Sequence, residues 1–255
     1  MGIDTEPVPI TIVLDHKYDE DGELKKLKCR IAVRGTQKYM QPGTHYDPNT
    51  YAATPNMNST RILMALVALY GLFQKCFDIT KAYTWAELDK KDLLILKYPK
   101  HFERYDTKTH EPLYMIMRRN LYGTPNAARN YTQKRDKFIL TYFNTDGWAC
   151  TRSRMDPCFF LIIRDGLRSW MLIHTDDCDL ASESKLHTEM IFTAMHNEWP
   201  CKEVPHTYML GVKRTLTVHE DGNRTLTMSM ESYIEAMYET FKEFIPTKHQ
   251  STPMM

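Results

Sequence analysis

At 255 residues and 30.0 kDa the chain has room for one large domain or two small ones packed together, and its 42% apolar and 25% charged residues are those of an ordinary globular protein. A net charge of +1 rules out any argument for a polyanionic ligand from total charge, and the longest apolar run, near residues 62–73, is too short to cross a bilayer. The six cysteines (Cys29, Cys76, Cys150, Cys158, Cys178 and Cys201) form no close Cys-x-x-Cys pair, which argues against structural zinc and for a reducing, intracellular setting.

Local charge says more than total charge. Residues 23–38 carry six basic side chains against Glu23 alone, and residues 117–137 carry six, Arg135 among them, against Asp136 alone. Such stretches are usually solvated faces, but two of them in a neutral chain raise the odds of a polyanionic partner.

In chain order, Ile10, Ile12 and Leu14 alternate with polar positions, Asp21-Gly22 supplies a turn, and Leu27 to Val33 returns as a second strand. Residues 35–58 form a long ordered loop. Ser59 or Thr60 caps a helix to about Phe73, with Ile62, Leu66, Leu69 and Phe73 as its buried stripe. A short strand, Cys76–Ile79, follows. Thr124 as N-cap and Pro125 in the first turn start a second helix, with Ala128, Tyr131, Phe138 and Tyr142 at helical spacing. Cys158–Ile163 and Trp170–His174 make a hairpin around Asp165-Gly166. A third helix spans roughly Lys185–Glu198 with Leu186, Met190, Ala194 and Met195 inward. Tyr208–Val218 is a strand, and Leu226–Phe244 begins as strand and becomes helix. This order predicts an α+β fold built on a split β-α-β sheet.

Phosphoryl transfer to a growing strand uses two hard divalent cations, and such cations want carboxylate oxygens. Asp78 ends an apolar strand, and Asp176-Asp177 follows another, after the hairpin. Alone, Asp-Asp reads as a turn. Two adjacent carboxylates at a buried strand end repel each other unless a cation neutralises them, so the three aspartates in this order favour a metal site.

Several blocks then carry a family likeness. Lys28-Cys29-Arg30-Ile31-Ala32-Val33-Arg34-Gly35 resembles a "KARLVARG" strand, and Thr50-Tyr51-Ala52-Ala53-Thr54 with Ser59-Thr60-Arg61 resembles "TFAPV…TIR". The strand bearing Asp78 resembles "DVKTAFL", and Leu121 to Arg129 resembles "LYGLKQAPR". Asp156-Pro157-Cys158-Phe159-Phe160 resembles "DxCLF", His174 to Asp177 resembles "YVDD", Tyr208 to Gly211 resembles "YFLG", and Ser251 to Met254 is similar to "STPM". Together, in this order, they resemble the reverse transcriptases of copia-type long-terminal-repeat retrotransposons.

The resemblance implies a right-hand polymerase: fingers at residues 1–75 and 100–123, a ferredoxin-like palm at 76–99 and 124–225, and the start of a thumb at 226–255. It implies RNA-directed DNA polymerisation from deoxynucleoside triphosphates on a primed RNA or DNA template, with two Mg²⁺ or Mn²⁺ ions held by Asp78, Asp176 and Asp177. By the same likeness Lys28 and Arg30 reach the incoming triphosphate, and a solvated edge strand is the plainer reading of both. Tyr83 fills the space beside the sugar C2′, or is a core aromatic, or both. Asn126 lies beneath the nucleotide sugar, Lys202 is placed to protonate pyrophosphate, and His174 and Gly211 lie near the primer end. No membrane contact is expected. A larger polyprotein, with RNase H and integrase outside this chain, is the expected setting, in a cytoplasmic particle or the nucleus.

The departures from the family pattern are His174 for Tyr, Asn126 for Gln, and Thr84-Trp85-Ala86 after the first aspartate strand. They leave the carboxylates in place. They also keep open a rival, a decayed or co-opted retroelement fragment that binds nucleic acid or packs structurally without catalysis. A nucleotide cyclase, another two-metal palm enzyme, fits the finger-strand and "LYG" blocks less well.

Overall fold

β1 (Val8–Tyr18) and β2 (Leu24–Val33) run antiparallel, with Ile10 opposite Val33 and Asp15 opposite Lys28. The computed structural model describes residues 6–18, 24–88, 93–209 and 211–244, so the expected Asp21-Gly22 turn and the Ser251–Met254 block lie outside the described residues. The long loop after β2 leads into α1 (Met57–Tyr70).

α1 departs from expectation at both ends and on its buried face. Its cap is Asn56, whose side chain accepts from the Asn58 amide, because the Ser59 hydroxyl is already committed to donating to Asp156. Gly71, at φ +62°, closes the helix three residues early, since only glycine takes that left-handed position without strain. Leu63, Met64 and Val67 are buried, while Ile62, Leu69 and Phe73 are exposed. The helix is apolar on more than one side, and contact with the underlying strands selects the side that goes inward.

β3 (Phe73–Ile79) carries Asp78 and runs into a short 3-10 turn, Ala82–Trp85. β4 (Leu94–Lys97) and β5 (Tyr114–Met117) follow. α2 (Ala127–Tyr142) begins later than expected, with Asn126 at the cap position and no side-chain cap bond. Thr124 is buried and forms the preceding turn, where its carbonyl accepts from the Ala127 amide at 3.1 Å.

β6 (Trp148–Arg152), β7 (Phe159–Arg164), β8 (Leu167–His174) and β9 (Asp177–Ser182) form a continuous antiparallel meander. The β7–β8 turn is Asp165-Gly166, both at positive φ, as a tight hairpin requires. α3 (Lys185–Glu198) has Ala194 and Met195 inward as expected, but Leu186 is 66% exposed. After β10 (Cys201–Val204), the expected strand at residues 208–218 is instead a hairpin: β11 (Tyr208–Met209) pairs with β12 (Val212–Val218), and Gly211 at φ +82° lies in the bend. β13 (Arg224–Ser229), α4 (Glu231–Phe241) and a 3-10 turn, Lys242–Phe244, complete the described chain.

The strands form three sheets, ordered β2-β1-β4-β5, β10-β3-β9-β8-β7-β6 and β11-β12-β13. The six-stranded sheet is covered on both faces. Phe77, Ile79, Met171, Ile173, Cys178 and Leu180 meet Tyr131 and Ile139 of α2 and Ile191 and Met195 of α3. On the opposite face Trp170, Leu172 and Ala181 meet Leu63, Met64 and Val67 of α1. This alternation follows the two-residue period of the strands, and each fully buried large side chain contributes about 1.5–3 kcal/mol. A separate core of Val8, Ile10, Val33, Leu94, Leu96 and Met117 supports the four-stranded sheet.

The two sequence blocks ending in Gly35 and Gly123 meet in space. The Val33 amide donates to the Tyr122 carbonyl at 2.7 Å, and a Cβ on Gly35 would fall 1.8 Å from the Gly123 carbonyl oxygen. Both positions need glycine because two backbones touch there.

Candidate active site

The register of the central sheet builds the site. Lys202 on β10 lies opposite Asp78 on β3, Asp78 opposite Asp177 on β9, and Asp177 opposite His174 on β8. Residues directly opposite in antiparallel neighbours present their side chains to one face, so these four form a row across four strands. Asp176 occupies the two-residue β8–β9 turn with Thr175, which sits at φ +58°. A positive φ at only the first turn residue is the type II′ pattern, normally filled by glycine. The Ile79 amide donates to the Asp176 carbonyl at 2.8 Å, tying the turn to the end of β3.

The carboxylates feel one another. Burial first, then Asp176 and Asp78, push the Asp177 carboxyl above its usual value, with His174 opposing. Tyr83 is raised by burial and then by Asp176, while a hydrogen bond with Thr175 acts the other way. Tyr122 is raised by burial, then Asp176, with Asp78 adding and Arg30 opposing. Tyr122, bridged to β2 at Ala32, thus feels both the β2 cation and the aspartates, a role that sequence reasoning missed although Tyr122 lies inside the "LYG" block.

Among the described residues no three His, Cys, Asp or Glu side chains are gathered closely enough to hold a metal ion. The donor chemistry nonetheless suits a hard divalent cation: oxygen ligands only, with mutual repulsion at Asp177 that a cation would relieve.

The other expected residues fall at different distances from this row. Arg30 and Lys28 share one face of β2, Arg30 reaching Asp15 at 3.5 Å and Lys28 exposed two residues away. Tyr83 is half-buried and meets Tyr122 edge-on, with ring centres 5.6 Å apart, and Tyr131 at 6.3 Å. Asn126 is buried, and its Oδ1 meets no hydrogen-bond partner among the described residues. Gly211 lies in the bend of the three-stranded sheet, which packs Leu226 and Met228 against the cluster containing Trp170, Leu172 and Ala181 and reaches the aspartate-bearing strands through Arg214. That guanidinium is buried against Asp179, two residues beyond Asp177, and Cys76 donates to the same carboxylate at 3.2 Å.

A family model described as reverse transcriptase (RNA-dependent DNA polymerase) matches residues 2–151, more than half of the chain. The chain belongs to the reverse transcriptase family. The match ends before β7, so Asp78 lies within it and Asp176-Asp177 beyond it. Similarity to individual retrotransposon proteins runs farther. The chain is 26% identical to the Retrovirus-related Pol polyprotein from transposon TNT 1-94 of Nicotiana tabacum, over 97% of this chain and 18% of that protein. It is 23% identical to the Pol polyprotein from transposon RE2 of Arabidopsis thaliana, over 81% of this chain and 14% of that protein. The corresponding protein of transposon RE1, from the same plant, is 25% identical over 67% of this chain and 11% of its own length. The copia-type retrotransposon likeness thus holds, and this reverse transcriptase chain spans under a fifth of the polyproteins it matches.

Proposed function

We propose that this chain is an RNA-directed DNA polymerase core that adds deoxynucleotides to a primer 3′-hydroxyl on an RNA or DNA template. The observation that carries the reading is the register setting Asp78 opposite Asp177, with Asp176 on the adjoining turn, in a chain of this family. The strand order β10-β3-β9-β8 with α2 and α3 on one face supports a ferredoxin-like palm. The four-stranded sheet is assigned to the fingers, although its β4 falls within the 76–99 stretch expected for the palm, and α4 to the start of a thumb.

Asp78, Asp176 and Asp177 are the ligands of this reading, and Mg²⁺ or Mn²⁺ bound there supplies Lewis-acid stabilisation of the reacting phosphate and lowers the pKa of the attacking hydroxyl. Arg30 and Lys28 attract the triphosphate from β2. Asn126 offers its free Oδ1 beside the start of α2. Tyr83, braced by Tyr122 and Tyr131, excludes a ribose 2′-hydroxyl by its bulk. Lys202, in the carboxylate row, is the proton donor assigned to the leaving pyrophosphate. His174 and Gly211 are assigned to the primer end. The partners are primed nucleic acid and dNTP, within a larger intracellular Pol polyprotein.

Primer extension on RNA and DNA templates with Mg²⁺ or Mn²⁺, beside an Asp176→Ala/Asp177→Ala control, tests the reading. Extension by the wild type and none by the control is expected. Tight primer–template binding without extension under either metal would overturn catalysis and leave a binding protein.

A further inference from the structure

Arg135 is fully buried in the middle of α2, and its guanidinium is divided between two partners. Nε and Nη2 donate to Oδ1 of Asp136 at 3.0 and 2.8 Å, and Nη1 donates to the Thr175 carbonyl at 3.1 Å. The other Asp136 oxygen accepts from Nη1 of Arg152 at 3.1 Å. Asp136 is thereby held on both oxygens, and Arg135 cannot swing away without leaving a buried carboxylate short of a partner.

Thr175 is the residue most in need of such a hold. A β-branched side chain at φ +58° persists only where its surroundings over-determine the backbone. Two donors do so from two elements: Arg135 on the Thr175 carbonyl and the Ile79 amide on the Asp176 carbonyl. One comes from a helix beneath the sheet and the other from the neighbouring strand. Only a planar fork of donors can serve Asp136 and Thr175 together, and it stays charged at every working pH.

We propose that Arg135 is a positioning residue that clamps the β8–β9 turn so that Asp176 and Asp177 face the cation together. This rests on the polymerase reading given above for the ligands, while the clamp itself is a matter of backbone geometry.

The test uses the full chain with Arg135→Lys, Arg135→Met and Thr175→Gly, and Arg135→Lys combined with Thr175→Gly. Mn²⁺ binding is read by electron paramagnetic resonance, amide exchange at residues 174–178 by mass spectrometry, and single-nucleotide addition by kinetics. Arg135→Lys is expected to weaken Mn²⁺ binding about tenfold and lower kcat by a similar factor, with KM for dNTP held within about twofold. Exchange should quicken at residues 174–178 and not in α3. Glycine takes positive φ unaided, so in the Thr175→Gly background the same Arg135→Lys change should cost less than about twofold. If Arg135→Met fails to fold, Arg135→Lys, which keeps a cation beside Asp136, decides the matter. Unchanged Mn²⁺ affinity and local exchange in folded Arg135→Lys would overturn the proposal, as would equal losses in both Thr175 backgrounds. A wild type that binds Mn²⁺ but never extends a primer would sink the polymerase reading alone, since the Mn²⁺ and exchange arms still report on the clamp.

Discussion

Asp78 and Asp177 are cross-strand neighbours, directly opposite each other on β3 and β9. Like charges so placed destabilise a sheet, and the raised Asp177 carboxyl records that together with its burial. Folded Asp177 keeps its proton to higher pH than in the unfolded chain, so between the usual carboxylate value and its raised value the native state binds more protons. Stability must therefore fall as pH rises through that window. Without divalent cations, Asp177→Asn should melt at a higher temperature than wild type at neutral pH, the two converging below about pH 4. Thermal unfolding at several pH values reads this directly; a gap that does not change with pH would remove Asp177 from the account.

Asp78→Asn takes a carboxylate charge from the row without touching the basic surface of β2. Nucleotide addition should drop by more than about a hundredfold, while the primer–template Kd changes less than about threefold. Rapid-quench incorporation and fluorescence anisotropy measure the two. Incorporation at the wild-type rate would contradict the assignment of Asp78.

Tyr83→Ala leaves a cavity beside Tyr122 and Tyr131 where the ring stood. The preference for deoxy- over ribonucleotides should fall by about tenfold or more, with a stability loss of about 2–4 kcal/mol. Comparing kcat/KM for dNTP and rNTP separates the effects: lost stability with unchanged preference would leave Tyr83 a packing residue.

Arg214 and Asp179 are both buried, and breaking the pair exposes the survivor's uncompensated charge. Arg214→Met should cost about 3–5 kcal/mol, whereas Arg214→Met with Asp179→Leu should recover most of it. Urea unfolding of the single and double variants provides the cycle, and equal losses in both would show that packing, not charge, is at stake.

The sequence revealed elements whose signals are local. Asp165-Gly166 announced the β7–β8 turn through residues that tolerate positive φ, and α3 was legible from its apolar spacing. β9 was not, because Asp177 and Asp179 are poor strand formers made into a strand by β3 and β8 on either side. The buried side of α1 was misread because its apolar residues surround much of the helix. Arg135 looked like one cation in a solvated basic stretch, yet it is enclosed; its partner, the Thr175 carbonyl, is a backbone atom 40 positions away. The candidate carboxylates could be nominated from composition and order. Their register, and the place of Tyr122 beside them, required the fold.

The row from Lys202 to His174 also carries a consequence for how the chain is made. The strand bearing Asp78 has β9 on one side and β10 on the other, about 100 and 125 residues later in the chain. During synthesis that strand leaves the ribosome with neither neighbour yet translated, and at a typical elongation rate it waits about 5–20 seconds for them. Throughout that interval its apolar residues Cys76, Phe77 and Ile79 stand on a bare edge, open to strands of other nascent chains. The central position that lets β3 organise the carboxylates makes it the segment a chaperone has most reason to hold.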